Sequence, residues 1–219
     1  MIVARIQAHP SRSELLAPLL ERLAPLATEV IVDDAPHLKS PWRNYRRCLE
    51  APLPDGTTHL LVIQDDATPC RNFAAALPLV AREDPVVLWL GGQPRRTARR
   101  ALTAVGRGEH WIDLHPGSAE WLPTVAVLWP ALLLLEPGTW VDEHPRHAGR
   151  QPHRADDGVL GAWAGFSRRR VLITVPSLVE HDDCTVSLIQ PRKTMHGRNR
   201  GRVAAFPIGD GDPLAIDWT

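Results

Sequence analysis

Short apolar runs alternate with segments of helical periodicity through the first ninety residues of the chain. The runs have the length and composition of buried strands, and they lie at 2–8, 29–32, 59–64 and 86–90. Apolar positions at helical spacing predict three helices between them, over 15–23, from 41 onward and over 71–81. This order of strand and helix is typical of a largely parallel α/β sheet.

Two prolines indicate where the first two helices begin. Pro18 predicts a kink or a late start, because proline fits best in the first turn of a helix. Ser40 followed by Pro41 predicts a helix that starts with a hydroxyl cap and has proline at its first position.

The second half of the chain is less regular. It contains predicted strands at 121–129 and 171–175 and a short predicted helix at 156–164. We expect one α/β domain over residues 1–190, followed by a tail at 191–219 that is first basic and then rich in glycine and proline.

Composition indicates an ordinary globular protein of 219 residues with a formal net charge of zero. Arginine outnumbers lysine 23 to 2, which we interpret mainly as the codon bias of a GC-rich genome. The cysteines Cys48, Cys70 and Cys184 are far apart, as expected for free thiols in a reducing compartment. With no signal-peptide pattern and no apolar stretch long enough to span a bilayer, we expect a cytoplasmic protein in a bacterial cell or a phage-infected host.

Asp65 and Asp66, called the acidic pair below, directly follow the apolar run 59–64. A buried strand of an open α/β sheet delivers such residues to the carboxyl edge of the sheet, where ligands bind. Paired carboxylates in that position are typical of a site for a divalent cation and a phosphate. The alternative is structural: the pair ends the strand and caps the next helix near Asn72.

His181 closes the segment 176–181, which follows the predicted strand 171–175. Neutral imidazole is a common ligand of transition metals such as Mn²⁺. An octahedral ion needs more than one protein ligand, so His181 gains weight as a ligand if the acidic pair binds metal. An ordinary loop histidine is the alternative.

Asp156 and Asp157 stand at the start of the predicted helix 156–164. A carboxylate there is stabilised by the free N–H groups of the first turn, so one aspartate can be a simple cap. The other can act as a general base that deprotonates an acceptor hydroxyl. Spacing alone leaves both possibilities open.

Asp33 and Asp34 end the second predicted strand. An acid at this place in the first βαβ unit often accepts hydrogen bonds from a ribose or a base, and it can equally cap the following turn. Arg43 and Arg47, on the next helix, are candidates to contact a diphosphate. A solvated helix face is the alternative for these arginines.

The order of these motifs resembles GT-A glycosyltransferases over roughly residues 1–190. The likeness rests on the strand ending at Asp33 and Asp34, the helix of Trp42, the acidic pair, the acids at a helix start and Pro-Ser-Leu-Val-Glu-His at 176–181. The chain is most similar to the lipopolysaccharide and collagen-type galactosyltransferase group. The Glu-Asp-Asp-Val motif of that group is Gln64-Asp65-Asp66-Ala67 here.

This resemblance implies a GT-A-like, Rossmann-like and mostly parallel central sheet flanked by helices. Residues 1–92 would bind the nucleotide-sugar and residues 93–190 would carry the acceptor and the catalytic groups. Mn²⁺ or Mg²⁺ held by Asp65, Asp66 and His181 would bind the diphosphate of a UDP-sugar, next to Gln64. Asp33 or Asp34 would lie near the nucleoside, and Asp157 or Asp156 would be the base. One base without an enzymatic nucleophile predicts inversion at the anomeric carbon.

The acceptor is open at this stage. A saccharide, a lipid-linked sugar and a protein side chain are all compatible with the motifs. The segments 93–108 and 190–203 each carry five lysine or arginine residues and no acid, and they could contact DNA, which small glycosyltransferases of phages decorate at modified bases. Without a role in DNA binding, these segments would be a mobile active-site loop and a solvated tail.

Two other functions use similar features. A nucleotidyltransferase or another phosphoryl-transfer enzyme would use the same metal-binding acids, although the chain has no glycine-rich phosphate loop with lysine. A non-catalytic module that binds a nucleotide-sugar or a nucleic acid would keep the fold without turnover.

Overall fold

A computed structural model describes residues 1–91, 95–114, 122–146, 155–181 and 203–219. Its strands are β1 (Ile2–Ala8), β2 (Ala27–Val32), β3 (His59–Gln64), β4 (Ala67–Pro69), β5 (Val86–Val87), β6 (Trp111–Leu114), β7 (Ala126–Pro130), β8 (Val171–Thr174) and β9 (Val179–His181). Its α-helices are α1 (Leu16–Leu23), α2 (Pro41–Glu50), α3 (Phe73–Val80), α4 (Arg95–Gly106), α5 (Glu136–Glu143) and α6 (Asp156–Phe166). Short 3-10 helices lie at Pro10–Leu15, Pro36–Leu38, Ala131–Leu133 and Pro213–Ala215.

The central sheet has seven strands in the order β2-β1-β3-β7-β5-β8-β6. β1 is parallel to both β2 and β3, and β5 is parallel to β8. β7 is antiparallel to its neighbours β3 and β5, and β6 is antiparallel to β8. The protein is therefore an α/β fold with a Rossmann-like arrangement and a mixed, mostly parallel sheet. A separate two-stranded ladder joins β4 to β9.

Apolar side chains cover both faces of the sheet, and β3 shows why its sequence is apolar without alternation. Leu60 and Val62 belong to the core on one face, which includes α2 and α6, whereas Leu61 and Ile63 belong to the core on the other, which includes α1 and α3. A strand buried on both sides needs apolar residues at every position. The two cores fix β3 in the centre and bring its carboxyl end between the flanking helices.

The predicted elements of the first half are present, with shifted ends. β1 and β3 have the predicted bounds, and Pro18 lies in the first turn of α1, which begins only after a 3-10 turn. The prediction of a hydroxyl cap on α2 was wrong, because the side chain of Ser40 forms no capping hydrogen bond. Pro41 nevertheless occupies the first helical position.

Several elements were not predicted. The basic segment 93–108 is helical from residue 95 as α4, and the helix buries only small residues such as Ala101 and Ala104. The strands β4 and β9 have three residues each, which is too short for a periodic pattern. β7 starts at Ala126, later than the predicted strand at 121–129.

The structure describes two of the three cysteines. Cys48 and Cys70 are free thiols, and Cys184 lies outside the described residues. Among the helices that the structure describes, none has both the length and the apolar character that crossing a bilayer requires.

A buried arginine joins β1 to the end of α2. Arg5 is 2% exposed, and its guanidinium donates to the carbonyl oxygens of Cys48 at 2.8 Å, Ala51 at 2.9 Å and Pro52 at 2.5 Å. Its Nε donates to Glu29 on β2 at 2.9 Å. The guanidinium thus satisfies carbonyls that the last turn of α2 leaves without a partner.

We predict that Arg5→Met lowers the free energy of unfolding by about 3 kcal/mol, because buried carbonyl oxygens lose their charged donor. Urea denaturation measures the change. Arg71→Met, at an exposed position before α3, is the matched control and should change stability by less than about 0.5 kcal/mol. Equal stability of the two variants would contradict a capping role for Arg5.

Candidate functional site

The acidic pair lies at the carboxyl end of β3, and both residues are buried. Oδ2 of Asp65 accepts a hydrogen bond from the backbone N–H of His9 at 2.6 Å. This bond ties the end of β3 to the loop after the neighbouring strand β1. The Asp65 side chain is thus held by the loop after β1, and Asn72, at the start of α3, forms no side-chain capping hydrogen bond.

Arg12 contacts both members of the acidic pair. Its Nη1 lies 2.9 Å from Oδ1 of Asp65 and 2.8 Å from Oδ2 of Asp66. The three side chains are at most 10% exposed. Our sequence analysis missed this residue, because one arginine in a polar loop has no distinctive spacing. The position of its loop after β1, at the same sheet edge, was the available signal.

His181 reaches Asp66 through the ladder of β4 and β9. The antiparallel register places His181 opposite Ala67, the residue that follows Asp66. Nε2 of His181 lies 3.1 Å from Oδ2 of Asp66. The structure thus brings His181 to Asp66, and Arg12 joins Asp65 to the same Asp66 oxygen, although these residues come from distant parts of the chain.

The donor types of this cluster suit Mn²⁺ or Mg²⁺, since carboxylate oxygen and imidazole nitrogen are their usual protein ligands. In the conformation described, however, a guanidinium nitrogen lies between the two carboxylates. Within the described residues, no three His, Cys, Asp or Glu side chains converge in a way that could hold an ion. The donor types of these residues therefore fit a divalent metal. The position between Oδ1 of Asp65 and Oδ2 of Asp66 is occupied by Nη1 of Arg12.

The electrostatics of the pair follow from burial. Burial raises the pKa of the Asp65 carboxyl, and the neighbouring charge of Asp66 adds to this effect. The His9 N–H and the Arg12 guanidinium oppose it. Two buried carboxylates side by side thus need a cation close to them.

Gln64 links the end of β3 to α6 on the other face of the sheet. Its Nε2 donates to Oγ1 of Thr124 at 3.2 Å and to Oδ2 of Asp156 at 3.5 Å. Gln7 lies beside Gln64 in the register of β1 and β3, and its buried Oε1 has no hydrogen-bond partner among the described residues. The end of β3 therefore joins the two candidate groups: Gln64 contacts Asp156, and the next two residues are the acidic pair.

Asp156 and Asp157 both form local hydrogen bonds at the start of α6. Oδ1 of Asp156 accepts from the N–H of Asp157 at 2.9 Å, and Oδ1 of Asp157 accepts from the N–H of Gly158. Asp156 is buried, and this burial, together with the charge of Asp157, raises the pKa of its carboxyl to about 6. Asp157 is only partly buried, so it is the one of the two that solvent or a substrate can reach.

The acids at the end of β2 form ion pairs with the arginines of α2. Nη1 of Arg43 lies 3.2 Å from Oδ1 of Asp33 and 2.5 Å from Oδ1 of Asp34. Arg47 lies 3.3 Å from Oδ1 of Asp34 and also donates to the carbonyl of Val32. The hydrogen bond from Arg43 lowers the pKa of the Asp34 carboxyl. These arginines are thus neither simply solvated nor directed at the acidic pair.

The two basic segments differ in what can be described. In α4 the side chains of Arg96 and Arg99 are exposed and that of Arg100 is partly exposed. Residues 93 and 94 and the segment 190–202 lie outside the described residues.

No protein-family model matches the chain, and a search of curated proteins found no match. A functional proposal therefore depends on the chemistry of the residues above and on the resemblance of their motifs.

We predict that Asp156→Asn gains stability relative to the wild type as the pH rises. The folded protein binds a proton at Asp156 more tightly than the unfolded chain does, so the contribution of Asp156 to stability falls between pH 4 and pH 7 in the wild type and is absent from the variant. The change from 3.8 to about 6 corresponds to up to about 3 kcal/mol.

Urea denaturation at a series of pH values measures this difference. Asp55→Asn in an exposed loop is the control and should show no such trend. A difference between Asp156→Asn and the wild type that stays constant from pH 4 to pH 7 would contradict the raised pKa.

Proposed function

We propose that the protein is a GT-A-type glycosyltransferase that transfers a sugar from a UDP-sugar to an acceptor hydroxyl. The observation that carries this proposal is the contact of His181 with Asp66, beside Asp65, at the carboxyl end of β3. The resemblance of the motifs implied these three residues as ligands of Mn²⁺ or Mg²⁺.

The architecture supports a nucleotide site at this edge of the sheet. β1, β2 and β3 are parallel and adjacent, so their carboxyl ends lie side by side. Open α/β sheets bind nucleotides at this edge. Asp33 follows β2 and the acidic pair follows β3, which is the relative position expected for groups that contact the nucleoside and the diphosphate of one donor.

The chain's own groups account for each requirement of the transfer. A divalent ion at the acidic pair supplies positive charge for the departing diphosphate when it is bound. Asp65 and Asp66 would hold that charge, and the neighbouring Gln64 donates a hydrogen bond to Asp156 at the start of α6. Asp33, fixed by Arg43 and by the N–H of Ala35, presents a carboxylate to the ribose.

Asp157 is our candidate for the general base. A base must reach the acceptor hydroxyl, and Asp157 is partly exposed whereas Asp156 is buried. Direct displacement with this single base inverts the anomeric carbon, which NMR of the product can establish.

The exposed arginines of α4 favour a polyanionic acceptor, with DNA as the first one to test. The exposed Arg96 and Arg99 and the partly exposed Arg100 lie on a helix that carries no acidic residue. Guanidinium groups bind phosphates in a bidentate manner, and binding that depends on them weakens as salt increases.

We predict that UDP with Mn²⁺ raises the melting temperature of the wild type by about 5 °C or more at saturating concentration, because ligands that bind the native state stabilise it. Asp66→Asn should abolish the shift, whereas Asp55→Asn should retain it. Differential scanning fluorimetry over a panel of nucleoside diphosphates, each with and without Mn²⁺, measures this.

The absence of a shift with every nucleotide would refute the glycosyltransferase proposal and leave the acidic pair as a structural group. A shift accompanied by release of a nucleoside monophosphate would instead favour nucleotidyl transfer. A shift without transfer to any acceptor would favour a binding module.

We predict that Asp157→Asn lowers kcat for sugar transfer by at least about 100-fold, because a general base contributes roughly that much. The donor-induced melting shift should stay unchanged in this variant. Transfer is measured with radiolabelled UDP-sugars on DNA and on saccharide acceptors. Full transfer activity in Asp157→Asn would refute its role as base.

A further inference from the structure

The loop after β1 places a cation at the acidic pair. Residues Pro10–Leu15 form a 3-10 helix that is broken at Arg12, whose φ of −126° and ψ of 27° are not helical. This break turns the Arg12 side chain inward, and the residue is 8% exposed. A buried arginine in a short polar loop is costly unless carboxylates compensate its charge.

Arg12 uses the oxygens that a metal would need. Its Nη1 contacts Oδ1 of Asp65 at 2.9 Å and Oδ2 of Asp66 at 2.8 Å, and that same Asp66 oxygen is 3.1 Å from Nε2 of His181. Oδ2 of Asp65 already accepts from the N–H of His9. A divalent ion binds carboxylate oxygens at about 2.0–2.6 Å, so it would share the space of the guanidinium nitrogen and repel its charge.

We propose that Arg12 and the divalent metal are alternative occupants of the acidic pair: the guanidinium compensates the two carboxylates in the metal-free protein and leaves them when the metal binds. This inference rests on the metal site of the proposed function and adds to it a competing cation within the chain. Arg12 is thus a regulatory and positioning residue, which sets the metal concentration at which the site fills.

The competition has a second consequence for the donor. A guanidinium that leaves the carboxylates becomes available to a phosphate, which it binds in a bidentate manner. UDP therefore stabilises the metal-bound arrangement through two contacts, one between its diphosphate and the metal and one between its diphosphate and the released Arg12. Metal and UDP should accordingly bind cooperatively in the wild type, and this cooperativity should depend on Arg12.

The test is the affinity of the nucleotide-free protein for Mn²⁺, measured by the electron paramagnetic resonance signal of free Mn²⁺. Arg12→Gln should bind Mn²⁺ at least about tenfold more tightly than the wild type, since a competing buried charge is gone. Arg12→Lys keeps a charge that cannot reach both carboxylates equally and should fall between the two. Arg71→Gln, at an exposed position before α3, is the matched control and should equal the wild type.

Equal or weaker Mn²⁺ binding by Arg12→Gln would overturn the proposal, since Arg12 would then be neutral or would hold the carboxylates in place for the metal. Failure of both proteins to bind Mn²⁺ would overturn it as well. The melting shift with UDP separates these failures from that of the proposed function. A shift that needs Asp66 would survive the loss of Arg12's role, whereas no shift with any nucleotide would refute the function itself.

If Arg12→Gln does not fold, the wild type can be titrated with diamagnetic Mg²⁺ and followed by ¹H–¹⁵N NMR. The amide of His9 reports on Asp65, and the Nε–H of Arg12 reports on the guanidinium. Competition requires both resonances to move with one midpoint. Movement of the His9 amide alone would show that metal binds without displacing Arg12, and would overturn the proposal.

Discussion

The site depends on the compensation of two buried carboxylates at the carboxyl end of β3. Asp65 and Asp66 lie where the sheet ends between two apolar cores, so water compensates their charge only weakly. Arg12 and the N–H of His9 come from the loop after β1, and His181 comes from β9. One charge requirement thus holds three distant segments of the chain together at a single edge of the sheet.

The same constraint explains why structural and functional interpretations of the acidic pair are difficult to separate. A buried ion pair is stable only when its partners remain in place, and removing one partner leaves an uncompensated charge. Replacing the guanidinium by a metal ion costs less free energy than leaving the two buried carboxylates without any cation. The contacts of Arg12 with Asp65 and Asp66 therefore fit both a structural ion pair and a site that binds metal when Arg12 leaves it.

The second candidate group is connected to the first by the backbone of β3. Alternate residues of a strand point to opposite faces, so Gln64 contacts Asp156 on one face while Asp65 contacts Arg12 on the other. Burial keeps the pKa of Asp156 high, and Asp157 remains accessible beside it. A change in the position of β3 would therefore move the predicted metal ligands and the predicted base together.

The sequence by itself determined the strands of the first half, the burial of β3 and the acids at its end, because a strand buried on both faces must be apolar throughout and charged residues mark where it ends. It did not reveal α4, whose buried face consists of small residues, or the insertion of β7 between β3 and β5. Only the tertiary structure decided that Arg12 lies between the carboxylates and that His181 meets Asp66. These contacts depend on a loop conformation and on the register of two three-residue strands, and local sequence patterns do not encode pairing between distant segments.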